Sequence, residues 1–306
     1  MAIYSHVKSP NFFILGAPKA GTTALGQYLS EHPDVFFSYP KEPNYFNTDF
    51  SSKYRLHHNL ASYLNTCFYE SADFPMRGEG TVWYLYSTEA VANILKQQPD
   101  ARFIVMLRNP VEMAYALHAT LYRSRINEDV SDFETAWKLQ DKRKQGLQLP
   151  KDIREPKVVQ YRDVCMIGAQ VERLLRQVDK ENVLFIFFDD FKADPQSIYE
   201  KACNFLSLKN DGRTDFPVVN QNQDIRFGGL SKMINKMGRS SKIIEMKRKL
   251  GIPKGKSLLG LLDKMNRKKV ERKPLDSKFK NDLTESFLDD IILLESLLNR
   301  NLSHWK

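Results

Sequence analysis

A chain of 306 residues, 42% hydrophobic and 27% charged, can bury one large α/β core or two smaller ones, and that balance excludes wholesale disorder. Its net charge of +9 points to anionic partners. No run approaches the ~20 apolar residues of a membrane span, Met1 to Ser9 is no signal peptide, and Cys67, Cys165 and Cys203 fit a reducing compartment, so the expectation is a cytoplasmic protein.

The chain is organised around Asn11 to Leu25. Phe12 to Leu15 is a short apolar run suited to a buried parallel strand. A turn from Gly16 to Gly21 follows, and then Thr22 and Thr23 open a segment whose apolar positions, Leu25, Tyr28 and Leu29, have helical spacing. Strand, glycine-bounded loop and helix start together make an anion cradle, because loop N–H groups and the helix dipole converge on one point. The two glycines fit the spacing GxxxxGK[ST] of nucleotide-binding loops, but Thr22 stands where that pattern needs lysine. The lysine is Lys19, inside the loop, which suits a shorter anionic group than a triphosphate.

Val35 to Phe37 reads as a second strand, followed by the loop Lys41-Glu42-Pro43-Asn44-Tyr45-Phe46, whose charged pair is open to a solvated or a chemical reading. Residues 53–75 read as helix and loop walling a pocket, and Gly78-Glu79-Gly80-Thr81-Val82-Trp83-Tyr84 comes next. Ala101 to Leu107 is the second strong strand and delivers Arg108-Asn109-Pro110 at its end, with Pro110 at the start of a helix. Ligands of parallel sheets gather beyond the carboxyl ends of strands, so the Gly16 loop and Arg108 should share one rim. There an arginine is either a bidentate phosphate clamp or a member of a surface ion pair. Residues 125–160 suggest an inserted loop and helix over the site. Val171 to Leu175 belongs to an amphipathic helix, and Asn182 to Phe188 is a third core strand. Asp189 and Asp190 should cap the following turn near Asp194-Pro195, ahead of a helix through Ile198, Ala202 and Phe205. Leu283, Phe287, Ile291, Leu294 and Leu298 mark a closing helix.

Pro18-Lys19-Ala20-Gly21-Thr22-Thr23 resembles the 5′-phosphosulfate loop of sulfotransferases that use 3′-phosphoadenosine 5′-phosphosulfate (PAPS), in the branch of bacterial and heparan-sulfate-type carbohydrate enzymes. The resemblance runs from about Phe12 to Trp305. It implies a single domain over residues 1–306 with a P-loop-like three-layer α/β fold, a central parallel sheet flanked by helices. It implies no metal, and neither CxxC nor HExxH occurs. It makes Glu42, ahead of the aromatic pair Tyr45-Phe46, the general base for an acceptor hydroxyl; apart from the resemblance, a histidine such as His118 is the next candidate should Glu42 not be the base. Lys19 becomes the cation on the departing phosphate and Arg108 the 3′-phosphate ligand. Two positions depart from the family pattern. Ala116 stands where a serine shares the 3′-phosphate, and Ser124 is too far along the helix to replace it simply. Gly80 stands where some members carry a lysine near the sulfate, leaving Lys19 or Lys41 to supply that charge.

From Arg226 to Lys273 the chain has sixteen Lys and Arg against three Asp and Glu, a local +13 that accounts for nearly all of its basicity. The segment is either a set of solvated faces or a contact for an anionic cofactor or acceptor, and Arg226-Phe227-Gly228-Gly229 is the part expected over the nucleotide. With only Phe227 available for base stacking, nucleic acid is not the expected partner. The reading is a PAPS-dependent sulfotransferase acting on a hydroxyl-bearing acceptor, a saccharide or other anionic alcohol first. The alternatives are a P-loop nucleotide kinase or NTPase, and a non-catalytic PAP/PAPS-binding protein on the same scaffold.

Overall fold

The structure is a computed structural model that describes residues 7–124, 126–219, 223–225, 267–269 and 273–306. Arg226 and nearly all of the basic segment lie outside the described residues. Five parallel strands form the sheet: β1 (Phe12–Gly16), β2 (Val35–Phe37), β3 (Met76–Gly80), β4 (Arg102–Leu107) and β5 (Val183–Phe187), in the order β2-β3-β1-β4-β5. β1 is buried along its whole length, as its FFILG sequence requires of a central strand covered on both faces. Phe13 stacks on Phe103 of β4 and meets Phe46 edge-on at 5.6 Å, so one core side chain links the sheet to the Glu42 loop. Burying each such ring contributes on the order of 1.5–3 kcal/mol.

After β1 the chain enters α1 (Thr22–Ser30) and moves to the β2 edge; after β4 it enters α2 (Pro110–Ser124) and moves to the β5 edge. The two connections diverge, opening a crevice between the carboxyl ends of β1 and β4. This places the Gly16–Gly21 loop and Arg108 on one rim.

The segment expected as an insertion is fastened into the body. Arg143, with no exposed side-chain surface, makes a bidentate pair with Glu128 at 2.6 and 2.8 Å, and Tyr161 donates to the same carboxylate. Lys157 reaches the Asp49 carboxylate at 2.9 Å, tying this segment to the turn that follows the Glu42 loop.

Asp189 and Asp190 do not cap the turn at Asp194-Pro195. β5 runs directly into a short helix, Phe188–Ala193, and both carboxylates lie in its first turn, where the positive helix end favours them. Asp190 forms a bidentate pair with Arg300, and Asp189 accepts from the Trp305 indole at 3.2 Å, so they hold the chain's C-terminal residues. The cap on the next helix is Asp194 itself, which accepts from the Ser197 N–H at 3.0 Å. The closing helix is Ser277–Leu298, with Phe279, Leu283, Phe287, Ile291 and Leu294 buried. Among the described residues no helix is long and apolar enough to cross a membrane.

Candidate active site

The loop after β1 is shaped by residues that accept left-handed backbone. Gly16 has φ 136°, and a side chain there would run into the Val82 carbonyl oxygen. Gly21, at φ 91°, is the N-cap of α1; it offers no side-chain cap, and no carboxylate lies in the helix's first turn. The positive end of α1 therefore faces the rim without an internal acidic partner. Lys19 itself has φ 63°, a strained conformation for a residue with a side chain. Pro18, Ala20 and Thr22 are buried, while Lys19 and Thr23 are partly exposed.

Arg108, at the end of β4, closes the crevice from the other side. Its Nη1 donates to the Lys19 carbonyl oxygen at 2.9 Å, and its Nη2 pairs with Glu112 at 3.0 Å. The guanidinium carbon lies 4.5 Å from the centre of the Phe188 ring. Of the two readings of this arginine the ion pair is present, with Glu112, and a hydrogen bond to the loop accompanies it. Ala116 lies farther along α2 and is buried, and the Ser124 hydroxyl donates to the Leu121 carbonyl.

The Glu42 loop meets the same point. Glu42 has φ 60° and Asn44 φ 53°, so the loop turns twice through left-handed backbone. Asn44 Nδ2 holds the Glu42 carbonyl at 2.7 Å, and the Tyr84 hydroxyl accepts the N–H groups of Tyr45 and Phe46 at 3.0 and 3.2 Å. With its lone pairs engaged, the Tyr84 proton goes to Glu79, which also accepts from Tyr63 and Thr81. Burial pushes the fully enclosed Glu79 carboxyl up to about 7, even though these hydroxyl donors favour its charged form. Sequence reasoning gave Glu79 no role. The one available signal was a charged residue inside a segment of buried aromatics.

Lys41 completes the cluster. Its ammonium donates to Thr22 Oγ1 at 3.4 Å, to Thr23 Oγ1 at 3.1 Å and to Glu42 Oε1 at 3.1 Å. The Glu42 carboxylate and the head of α1 are therefore joined through one cation. His118 is not in this cluster in any usable form: it is buried, its Nε2 bonds the Val130 carbonyl at 2.9 Å, and burial lowers its basicity. Among the described residues no group of three or more potential metal ligands occurs.

Two anion-seeking features, a helix head and a clamped arginine, thus share a rim with a carboxylate that could take a proton. The sulfotransferase domain family matches residues 9–291. Human carbohydrate sulfotransferase 15 is 30% identical over 164 residues, covering 40% of this chain and 29% of that protein. Mouse bifunctional heparan sulfate N-deacetylase/N-sulfotransferase 4 is 24% identical over 206 residues, covering 65% of this chain and 22% of that protein. The chain thus spans less than a third of the length of these two relatives. A sulfotransferase crystal structure from Alicyclobacillus acidocaldarius superposes with a TM-score of 0.70 at 24% identity, covering 98% of this chain and 99% of that one, which shows a shared fold. With the family match running across nearly the whole sheet and both rim loops, the chain belongs to the sulfotransferase domain family.

Proposed function

We propose that the chain transfers a sulfuryl group from PAPS to an acceptor hydroxyl. The observation that supports this reading is the bridge from Glu42 through Lys41 to Thr22 and Thr23, which joins a carboxylate to the head of α1. The residues fit PAPS: the glycine-bounded loop and uncapped α1 suit its 5′-phosphosulfate, and Arg108 suits a second phosphate across the crevice. When bound, PAPS supplies an activated sulfuryl group on a phosphate leaving group.

Pro18 to Thr23 would hold that group, with Lys19 and the loop amides stabilising negative charge on the leaving phosphate. Glu42 would take the acceptor's proton as the new S–O bond forms and the S–O bond to the phosphate breaks, the electron pair leaving with PAP. Arg226 is proposed as a further nucleotide contact on the basis of family resemblance and local charge. The carbohydrate and heparan sulfate relatives support a saccharide as the first acceptor to try. The test is mass spectrometry of a panel of saccharide and simple alcohol acceptors incubated with PAPS and the full chain. A sulfated product that depends on the chain is expected. PAP and PAPS binding without transfer to any acceptor would favour the non-catalytic alternative, and binding to neither would remove the proposal.

A further inference from the structure

Glu79 stands where a carboxylate is costly. It lies on β3 in register with Phe13 of the central strand, fully buried, and a charge there persists only where donors surround it. The donors are the hydroxyls of Tyr63, Thr81 and Tyr84, with Thr81 Oγ1 at 2.7 Å. Two of them belong to rings that flank the Glu42 loop. Tyr63 stacks on Tyr45 at 4.4 Å and meets Phe46 edge-on at 5.6 Å. Tyr84 meets Phe46 edge-on at 5.8 Å and accepts the Tyr45 and Phe46 N–H groups. The backbone just after Glu42 is thus fixed by two tyrosines whose hydroxyls end on one carboxylate.

The arrangement suits one charge state. Ionised, Glu79 accepts from all three hydroxyls, and the Tyr84 oxygen keeps its lone pairs for the two N–H groups. Protonated, the carboxyl carries an O–H that faces three donors, so at least one hydroxyl has to turn away and accept. Tyr84 can accept only by releasing an N–H group of the loop. The other titratable groups facing Glu79 are Cys67, on the same helix as Tyr63 and 3.5 Å from His57, and Glu42 on its own loop. Burial lowers His57 to about 4, so no cation among these groups offsets the charge at neutral pH.

We propose that Glu79 is a positioning residue for the transfer, holding the Glu42 loop through Tyr84 and doing so only as the carboxylate. This rests on the reading of the chain as a PAPS-dependent enzyme with Glu42 as base. Glu79 is enclosed, so it reaches neither nucleotide nor acceptor and exchanges no proton with them; it sets where the base stands. With its carboxyl raised to about 7, the hold is released as pH falls through the neutral range.

The test is the pH dependence of turnover by the full chain, with saturating PAPS and the best acceptor of the panel above. Wild-type kcat is expected to fall through an acid limb at about pH 7. Glu79→Gln places a permanent N–H donor among the same hydroxyls. It should lower kcat at about pH 8 by roughly ten- to a hundredfold, lose that limb, and leave PAP affinity within about threefold. Tyr84→Phe should lose a similar factor, and the double variant no more than either alone, because both substitutions undo one hold. Tyr63→Phe keeps its ring on Tyr45 and takes one donor from the carboxylate, so the limb should move to higher pH. That shift tests the assignment even if Glu79→Gln does not fold. Full turnover by Glu79→Gln, additive losses in the double variant, or an acid limb that Tyr63→Phe leaves in place would each overturn it. A wild-type chain that transfers to no acceptor would overturn the underlying reading, and the assignment with it, before any variant is made.

Discussion

Arg108 Nη1 donates to the Lys19 carbonyl oxygen at 2.9 Å, so the end of β4 holds the loop that leaves β1. The rest of the guanidinium faces Glu112, whose side chain is 58% exposed. An exposed pair of this kind contributes about 0–1 kcal/mol and can yield to a phosphate. The arginine thus gives one hydrogen bond to the loop and two to Glu112, and on the proposed reading the latter are the ones a phosphate would take over.

Arg108→Met should therefore weaken PAP far more than adenosine 5′-phosphosulfate, which lacks the 3′-phosphate. Glu112→Gln should tighten PAP by about two- to fivefold, since a weak competitor for the guanidinium is removed. Calorimetry with both nucleotides checks the pair. Equal weakening of both by Arg108→Met would limit Arg108 to bracing the loop.

Lys19→Ala separates charge stabilisation from binding. An ammonium on the departing phosphate matters most as the S–O bond breaks, so turnover should fall by about 10²–10³ while PAP affinity falls much less. Single-turnover transfer and PAP titration of the same preparation provide the comparison. Losses of the same size in both would make Lys19 a binding residue only.

For the base, Glu42→Gln keeps the shape of the side chain and an oxygen for Lys41 but cannot accept a proton. Nucleotide affinity should be nearly unchanged and transfer to alcohols should fall by roughly 10²–10⁴. Near-normal turnover would relocate the base, and His118, buried against the Val130 carbonyl, is poorly placed to take over.

Much of this site was legible before the structure. β1, β4 and β5 are apolar runs with no competing period, and Gly16, Lys19, Gly21 and Arg108 follow strand ends, where a parallel sheet gathers ligands. β3 was not legible as a strand. Its sequence Met-Arg-Gly-Glu-Gly has two glycines and two charges, and its pairing with β1 and β2 is a property of the sheet, not of local propensity. The roles of Asp189 and Asp190 were hidden for a similar reason, since their partners Trp305 and Arg300 are more than a hundred residues away. The resemblance names Lys41 as one possible source of charge near the site, but its contacts with Thr22 and Thr23 arise from the Glu42 loop folding back on α1, a long-range contact with no signature in a single sequence.

The Tyr84 hydroxyl offers a test of how the Glu42 loop is held. Tyr84→Phe keeps the buried ring and leaves the Tyr45 and Phe46 N–H groups without their acceptor. A stability loss of about 1–3 kcal/mol is expected, measured by denaturant unfolding, with a larger effect on kcat than on nucleotide affinity. A variant with full stability and full turnover would show that the loop does not depend on this hydroxyl.

Glu79 links the same network to pH. Burial raises its carboxyl from 4.5 to about 7, so the folded chain binds a proton that the unfolded chain releases. The sign follows directly: the stability associated with this group is fully present below about pH 4.5 and is lost as pH rises through about 7. A rise of this size corresponds to roughly 3 kcal/mol across that window. Other groups titrate in the same range, His57 among them with its pKa lowered to about 4 by burial, so the wild-type profile alone is not diagnostic. Glu79→Gln removes one titration and leaves the others. The stability of the wild type relative to Glu79→Gln should therefore decline between pH 4.5 and 8 and level off above that range. Denaturant unfolding of both chains at several pH values measures the difference. Parallel profiles would mean that Glu79 is ionised across the whole range, its charge fully satisfied by the hydroxyls of Tyr63, Thr81 and Tyr84.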